Sequence, residues 1–422
     1  MLAHLAQPAP LMIARHRAET PSPWKRKREE TCGCFCVTRN TFGETFNSCV
    51  KQNIYLNLRT KVSALKVSPS LVALVSHSGD GDLLFACSGT IFECQHQDNS
   101  DEFIATILTS ATLLTGRSPS SNADIAPNIQ VDVYLWDGKT CQGEISACDI
   151  HFNLALIKIR SNQRLPTPIF KHLDDSMTLT LPRVLDSTSY ELHSQQDMLQ
   201  GSNSFKICAG DKVIALGRHY LSHELMAAPG VFRFGYCDLD CEQLCIASCK
   251  ITMGGIGGPL INRHGEVIGI NFYSELFTPF LPINAVSKCL ENLKNHGRVH
   301  QPWLGVKASS LGSASVYKLE KIILKFPQIS KGVLVEEVTS ESPAAYAGIR
   351  PDDIIVQCGG KSVGSSLEFF GFMLDKVGEP VELDVRRPSD GTCLTPTVFA
   401  GDRCNRWPIP KERQMLFDTI HM

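Results

Sequence analysis

The sequence predicts a mainly β protein, with one large domain of short strands closed into barrels or a sandwich and one smaller domain of mixed strands and helices. Three observations predict it. From about residue 68 to 290, short apolar or alternating runs are separated by turn residues, the pattern of an all-β domain. Between 284 and 296 that pattern gives way to Val286, Cys289, Leu290 and Leu293 at helical spacing, with His296-Gly297 as a helix end. From Trp303 onward a second, shorter pattern begins. A length of 422 residues fits this division, since a domain takes ~150 residues.

In chain order, the expected strands of the first domain include Leu71–Val75, Ile104–Thr109, Val131–Trp136 before the turn Asp137-Gly138, Leu154–Ile159, Lys212–Leu216 and Val267–Phe272. The polar stretch Asp186–Ser204 reads as a long surface loop. In the second domain, Trp303–Val306 and Gly332–Val335 read as strands and Ser342-Pro343-Ala344-Ala345 as a helix start. Arg350-Pro351-Asp352-Asp353 reads as a turn before Ile354–Val356, and Leu367, Phe370, Met373 and Leu374 mark another helix. The expected boundaries are a poorly ordered leader at 1–60, a first domain at 68–298, a second at 302–400 and a tail at 401–422.

Charge and composition exclude several classes. Lys and Arg total 41 against 43 Asp and Glu, a formal charge of -2, so no global field calls for nucleic acid or an anionic membrane. No run approaches the ~18 apolar residues that cross a bilayer. The 17 Cys are odd in number and irregularly spaced, which reads as reduced thiols. Together with an N-terminus lacking secretory features, this favours an intracellular setting, nucleus or cytoplasm ahead of an organelle. The basic run Lys25–Arg28 beside Glu29 and Glu30 reads as a solvated tail, with a nuclear address as the alternative.

The most informative string is Gly254-Gly255-Ile256-Gly257-Gly258-Pro259-Leu260-Ile261-Asn262, followed by Gly265–Asn271. It resembles the nucleophile loop of trypsin-like serine proteases of the HtrA/Deg (Do-like) family. Further segments keep the family's order: Ser88–Ile91 resembles its early strand, Ile107–Thr112 its histidine segment, Asn153–Ile159 its aspartate segment, and Gly210–Gly217 the strand opening its second barrel. Leu281-Pro282-Ile283 before a helix continues the match, which covers about 70 to 400. The resemblance implies a trypsin-like double β-barrel followed by a small α+β PDZ domain.

The catalytic letters depart from that family. Ile256 stands at the nucleophile position, Thr112 at the general base and Asn153 at the orienting acid. Isoleucine has no nucleophilic atom, threonine accepts no proton at neutral pH, and an amide carries no charge to stabilise an imidazolium. The triad is read as degenerate. Ser110 and His151, each two residues from a triad position, are weighed as substitutes on shared strand faces and set aside, because no Ser, Thr or Cys lies between Gly254 and Gly258. The backbone N–H groups of Gly254, Gly255 and Ile256 are expected to keep a vestigial oxyanion loop.

Trp303-Leu304-Gly305-Val306 resembles the carboxylate-binding loop of the PDZ domain that follows the protease domain in this family. The resemblance implies capture of protein or peptide C-termini, with the next strand pairing the peptide. The expected function is an inactive protease homologue that binds peptides. The alternatives are an active serine endopeptidase of protein quality control, and a non-catalytic subunit of a homo- or hetero-oligomer, trimeric by family resemblance. No cofactor or metal is expected: Cys237, Cys241, Cys245 and Cys249, every fourth residue, lack the paired spacing of structural zinc, and Cys32, Cys34 and Cys36 are read likewise.

Overall fold

The structure is a computed structural model that describes residues 46, 56–97, 101–115, 125–176, 204–234, 241–297 and 299–402. It opens with helix α1 (Leu58–Val67), whose first turn is capped by the Asn57 side chain accepting the Thr60 N–H at 2.9 Å. Six strands then close the first barrel: β1 (Leu71–His77), β2 (Leu83–His96), β3 (Phe103–Thr109), β4 (Gln130–Tyr134), β5 (Thr140–Asp149) and β6 (Leu154–Ser161), in the order β1-β2-β3-β6-β5-β4. Val72, Leu74, Ile91, Ile107, Val133 and Ile157 fill its interior.

A short parallel pair, β7 (His172–Asp174) and β8 (Ser204–Lys206), precedes the second barrel. That barrel comprises β9 (Lys212–Arg218), β10 (Leu225–Arg233), β11 (Cys245–Ala247), β12 (Pro259–Asn262), β13 (Val267–Asn271) and β14 (Thr278–Pro282). Helix α2 (Ile283–His296) follows and ends at Gly297, whose left-handed φ of 69° lets its N–H reach the Leu293 carbonyl. The stretch 1–45, all of the expected loop Asp186–Ser204 but its last residue, the tail from 403 and the cysteines at 32, 34, 36 and 237 lie outside the described residues.

The C-terminal domain runs β15 (Pro302–Trp303), β16 (Val306–Ser310), α3 (Val316–Lys325), β17 (Val333–Val338), α4 (Pro343–Tyr346), β18 (Ile354–Cys358), β19 (Lys361–Ser362), α5 (Ser366–Leu374), β20 (Pro380–Arg387), β21 (Thr392–Leu394), β22 (Thr397–Phe399) and β23 (Gly401–Asp402). Its main sheet has the order β16-β17-β18-β20-β21, so β16 is an edge strand. The Arg350–Asp353 turn is pinned by a buried pair in which Arg387 donates to both Asp353 carboxylate oxygens at 2.8 Å. This domain docks on the barrels through α5: Phe370 meets Phe152 with ring centroids 5.9 Å apart, and Lys288 of α2 pairs with Asp375 at 3.1 Å.

Two features extend the packed body beyond the expected boundaries. Helix α1 begins inside the stretch read as a leader, and Phe46, 2% exposed, belongs to the core of the second barrel. A single aromatic in a stretch without periodicity gives no pattern for a sequence reading to detect.

The barrels meet at a seam that glycine makes. Gly257 adopts φ +74°, and a Cβ there would lie 2.5 Å from both the Ser88 carbonyl and Thr109 Oγ1. At Gly258 it would lie 2.3 Å from the Leu216 carbonyl, and at Gly255 2.5 Å from the Phe46 ring. Fully buried Ser88 stitches the seam: its Oγ donates to the Gly254 carbonyl at 2.6 Å and accepts the Arg218 N–H at 2.9 Å, and its N–H donates to the Ile256 carbonyl at 2.9 Å. The buried Arg218 guanidinium donates to the Leu71, His223 and Ser68 carbonyls, each at 2.7 Å, tying β9 to the start of β1. With only neutral acceptors, burial pulls its pKa down to about 10. Gly257→Ala is expected to destabilise the protein by about 2–5 kcal/mol, the left-handed strain and the overpacking acting together. Gly138→Ala, with positive φ but open space around it, is expected to cost only about 1–2 kcal/mol. Urea midpoints of the two variants check the difference.

Candidate active site and peptide groove

The structure brings Thr112 and Asn153 together. Thr112 sits in a 3-10 turn, Ala111–Leu114, and donates to Asn153 Oδ1 through its N–H at 2.9 Å and its Oγ1 at 3.1 Å. Ser110, which caps that turn, donates to the same oxygen at 2.8 Å. Asn153 has a left-handed φ of 52°, which Asn tolerates better than most residues, and its carbonyl accepts the Ala111 N–H at 3.1 Å. The strand geometry expected around these residues is therefore replaced by a turn on each side. His151 does not complete the pair: it packs edge-on against Phe152 and borders a cavity beside Trp303.

Ile256, which the resemblance sets at the nucleophile position, is 7% exposed and joins the apolar cluster of the first barrel that includes Leu113 and Leu114, the neighbours of Thr112. The loop before it is wound into a 3-10 turn, Met253–Gly255. The Ile256 N–H donates to the Met253 carbonyl at 3.1 Å and the Gly255 N–H to the Thr252 carbonyl at 2.9 Å. An oxyanion pocket needs converging donors that are free of other partners. Here those of Gly255 and Ile256 are spent within the loop, and the Gly254 carbonyl accepts the Ser88 hydroxyl.

Cys87, Cys148, Cys245 and Cys249 offer no replacement nucleophile. Burial pushes the Cys87, Cys148 and Cys249 thiols up to about 12 and raises Cys241's neighbour Cys245 further, against formation of a thiolate. Cys245 lies in β11, so the four-residue cysteine spacing is not a helical stripe there, and no group of three metal-ligating side chains occurs among the described residues. A Ser-His contact that the sequence reading missed lies at Ser222 and His219, where His219 Nδ1 lies 3.1 Å from the Ser222 N–H and 3.0 Å from its Oγ. The His219 carbonyl accepts the His223 N–H at 2.9 Å, so the contact belongs to a local turn, and the Ser222 hydroxyl also donates to Glu224 at 3.1 Å.

The second site lies along β16. Trp303 is held in register by the β15–β23 pair, and Gln301 N–H and His300 Nδ1 both contact Asp402 at 3.0 Å. Leu304 anchors the following loop in the domain core, and its carbonyl accepts the Ala344 N–H at 3.0 Å. Gly305 adopts φ +74°, and a Cβ on it would lie 2.2 Å from Ser342 Cβ. Glycine is thus required by the fold on the Ser342 side. The Leu304 and Gly305 N–H groups form no hydrogen bond among the described residues. They open onto a cavity of about 310 Å³ between the Trp303–Val306 loop, α5 and the barrel residues Phe152 and Phe232. Two adjacent free donors, an edge strand with unpaired backbone groups and an apolar helix wall are the parts that hold a peptide C-terminus.

Residues 87–270 match the trypsin-like peptidase domain family and residues 334–387 the PDZ domain family. Among curated proteins, the chain is similar to the putative protease Do-like 14 of Arabidopsis thaliana, 33% identical over 267 residues that cover 61% of this chain and 54% of that protein. Serine protease Do-like HtrB of Bacillus subtilis is 35% identical over 157 residues, covering 35% of this chain and 34% of the relative. Serine protease HTRA1 of Xenopus tropicalis is 25% identical over 292 residues, covering 66% and 56%. The chain spans between a third and about half of the length of these relatives. No helix among the described residues is long and apolar enough to cross a membrane. The two barrels and the domain that follows them are thus a trypsin-like double barrel with a C-terminal PDZ domain, similar in sequence to Do-like and HtrA serine proteases.

Proposed function

We propose that the chain is a catalytically inactive HtrA/Deg-type homologue that binds the C-termini of peptides or proteins through its PDZ groove. The observation that carries the first half is Ile256 at the nucleophile position, buried in apolar contacts with its N–H bonded to Met253. Hydrolysis by the triad route needs a nucleophile, a base and donors for the oxyanion. At the matching positions stand an alkyl side chain, a threonine hydroxyl and an uncharged amide, the last two bonded to each other. The reading of an active endopeptidase is supported by the names of the curated relatives, which are those of proteases.

The binding half is supported by the free Leu304 and Gly305 donors beside the edge strand β16. A peptide adding as a strand gains main-chain bonds, and its terminal carboxylate gains charge-assisted bonds from the loop. Assembly with further copies or with active homologues is compatible with this role, and light scattering on the purified chain measures it.

Two outcomes test the reading. A fluorophosphonate probe is expected to leave the protein unlabelled, and casein is expected to stay intact, with an active serine protease as the positive control. Stoichiometric labelling, or casein cleavage blocked by the probe, would establish the endopeptidase instead. On the full chain, hydrophobic C-terminal peptides with a free carboxylate are expected to bind about tenfold or more tightly than their amides, from the ~1.5–3 kcal/mol of a hydrogen bond to a charged group. Fluorescence polarisation reads this ratio, and equal affinities would remove the carboxylate-loop mechanism.

A further inference from the structure

The groove beside β16 has a second polar end, supplied by the barrels. Asp175 follows β7, and its Oδ2 accepts the Ser310 hydroxyl at 2.6 Å. Ser310 closes β16, and its Oγ accepts the Ser366 N–H at 2.9 Å where α5 begins. The carboxylate therefore stands at the far end of the groove from the Trp303–Val306 loop. Val306 and Ser310 open and close the strand, a separation of ~13 Å at ~3.4 Å per residue.

Asp175 is 7% exposed and borders the same cavity as the carboxylate loop, yet its Oδ1 has no hydrogen-bond partner. Buried polar atoms rarely stay unsatisfied, and a carboxylate oxygen least of all. Burial raises the Asp175 carboxyl above its ordinary range, and the Ser310 and Ser365 hydroxyls oppose this. Around the cavity the other charged side chains are Glu242, Glu336 and Arg233. Glu336 is already paired with Lys318 at 2.7 Å. The cavity thus offers free donors at one end and an acidic, under-satisfied acceptor at the other. A ligand complementary to both is a peptide with a terminal carboxylate and a cationic side chain a few residues upstream.

We propose that Asp175 is a specificity-determining residue of the groove, reading a lysine or arginine side chain three or four residues before the C-terminal carboxylate of a bound peptide. A peptide paired antiparallel to β16 with its carboxylate at the loop brings that position level with Ser310. Because Asp175 is desolvated before the ligand arrives, the incoming cation meets a carboxylate whose dehydration has already been met by folding, and only its own remains. The apolar stem of a lysine also suits the ring-lined walls of the cavity. The barrel thereby contributes to the sequence preference of the PDZ groove, and the preference belongs to the joined domains.

This inference rests on the peptide-groove reading above. The test uses the full chain and fluorescein-labelled peptides with a hydrophobic terminal residue, carrying lysine, norleucine or glutamate at the third or fourth residue before the C-terminus. In the wild type the lysine peptide is expected to bind about tenfold more tightly than its norleucine counterpart, and the glutamate peptide more weakly than either. In Asp175→Asn the lysine advantage is expected to vanish, while affinity for the norleucine peptide and the acid-to-amide ratio stay as in the wild type. Equal binding of the lysine and norleucine peptides to the wild type overturns the proposal without recourse to any variant, and so does a lysine preference that survives Asp175→Asn. If free-acid and amide peptides bind alike, the groove reading fails and takes this inference with it. If the acid is preferred while lysine is not, the role of Asp175 alone is lost.

Discussion

The contact on which the barrels and their cleft depend is the side-chain-free approach of residues 255–258 to the strands of both barrels. Three of these four positions have no room for a Cβ, each for a different neighbour: the Phe46 ring, the Ser88 carbonyl and Thr109, and the Leu216 carbonyl. Once the loop lies that close, Ser88 can bond to it from one barrel and to β9 of the other. In a trypsin-fold protease such a loop presents a nucleophile. Here the one side chain it carries is Ile256, and that side chain completes the apolar interior of the first barrel. In the proposed inactive homologue the seam is kept for packing, because the glycines serve the backbone and the catalytic letters serve the substrate.

The same separation explains why Thr112 and Asn153 stay together. Two neutral groups sharing one acceptor oxygen, with Ser110 as a third donor, give a half-buried network without any charge. Such a network fixes the turn that carries Leu113 and Leu114 into the core. It acts as a structural joint between the two turns.

Much of this was legible in the sequence. The short strands, the helix marked by Val286, Cys289, Leu290 and Leu293, its glycine stop, and the turn at Arg350–Asp353 follow from local periodicity and turn chemistry. The positions of Thr112, Asn153 and Ile256 came from ordered resemblance to the family. What periodicity does not encode is the partner across space. Phe46 is one aromatic in an unpatterned stretch, Asp175 one acid beside another, and Arg218 one base at a strand end. Each acquires its role only when a distant element closes over it. The wound Met253–Gly255 turn was likewise hidden, because glycine-rich sequence permits both an open and a closed loop.

The coupling of the two domains follows from the same logic of shared surfaces. Helix α5 presents Phe369 and Met373 to its own domain and Phe370 and Leu374 to the cluster it shares with α2. One helix is therefore groove wall, domain core and interdomain contact together. The central proposal is that the position matching the family's nucleophile serves packing, and the stability of Ile256→Ser tests it most directly. The account predicts a loss of about 2–5 kcal/mol in unfolding free energy, with no labelling by a fluorophosphonate probe, since a small polar group would replace a buried alkyl side chain without gaining a base. A variant as stable as the wild type, or one that takes up the probe, would contradict it.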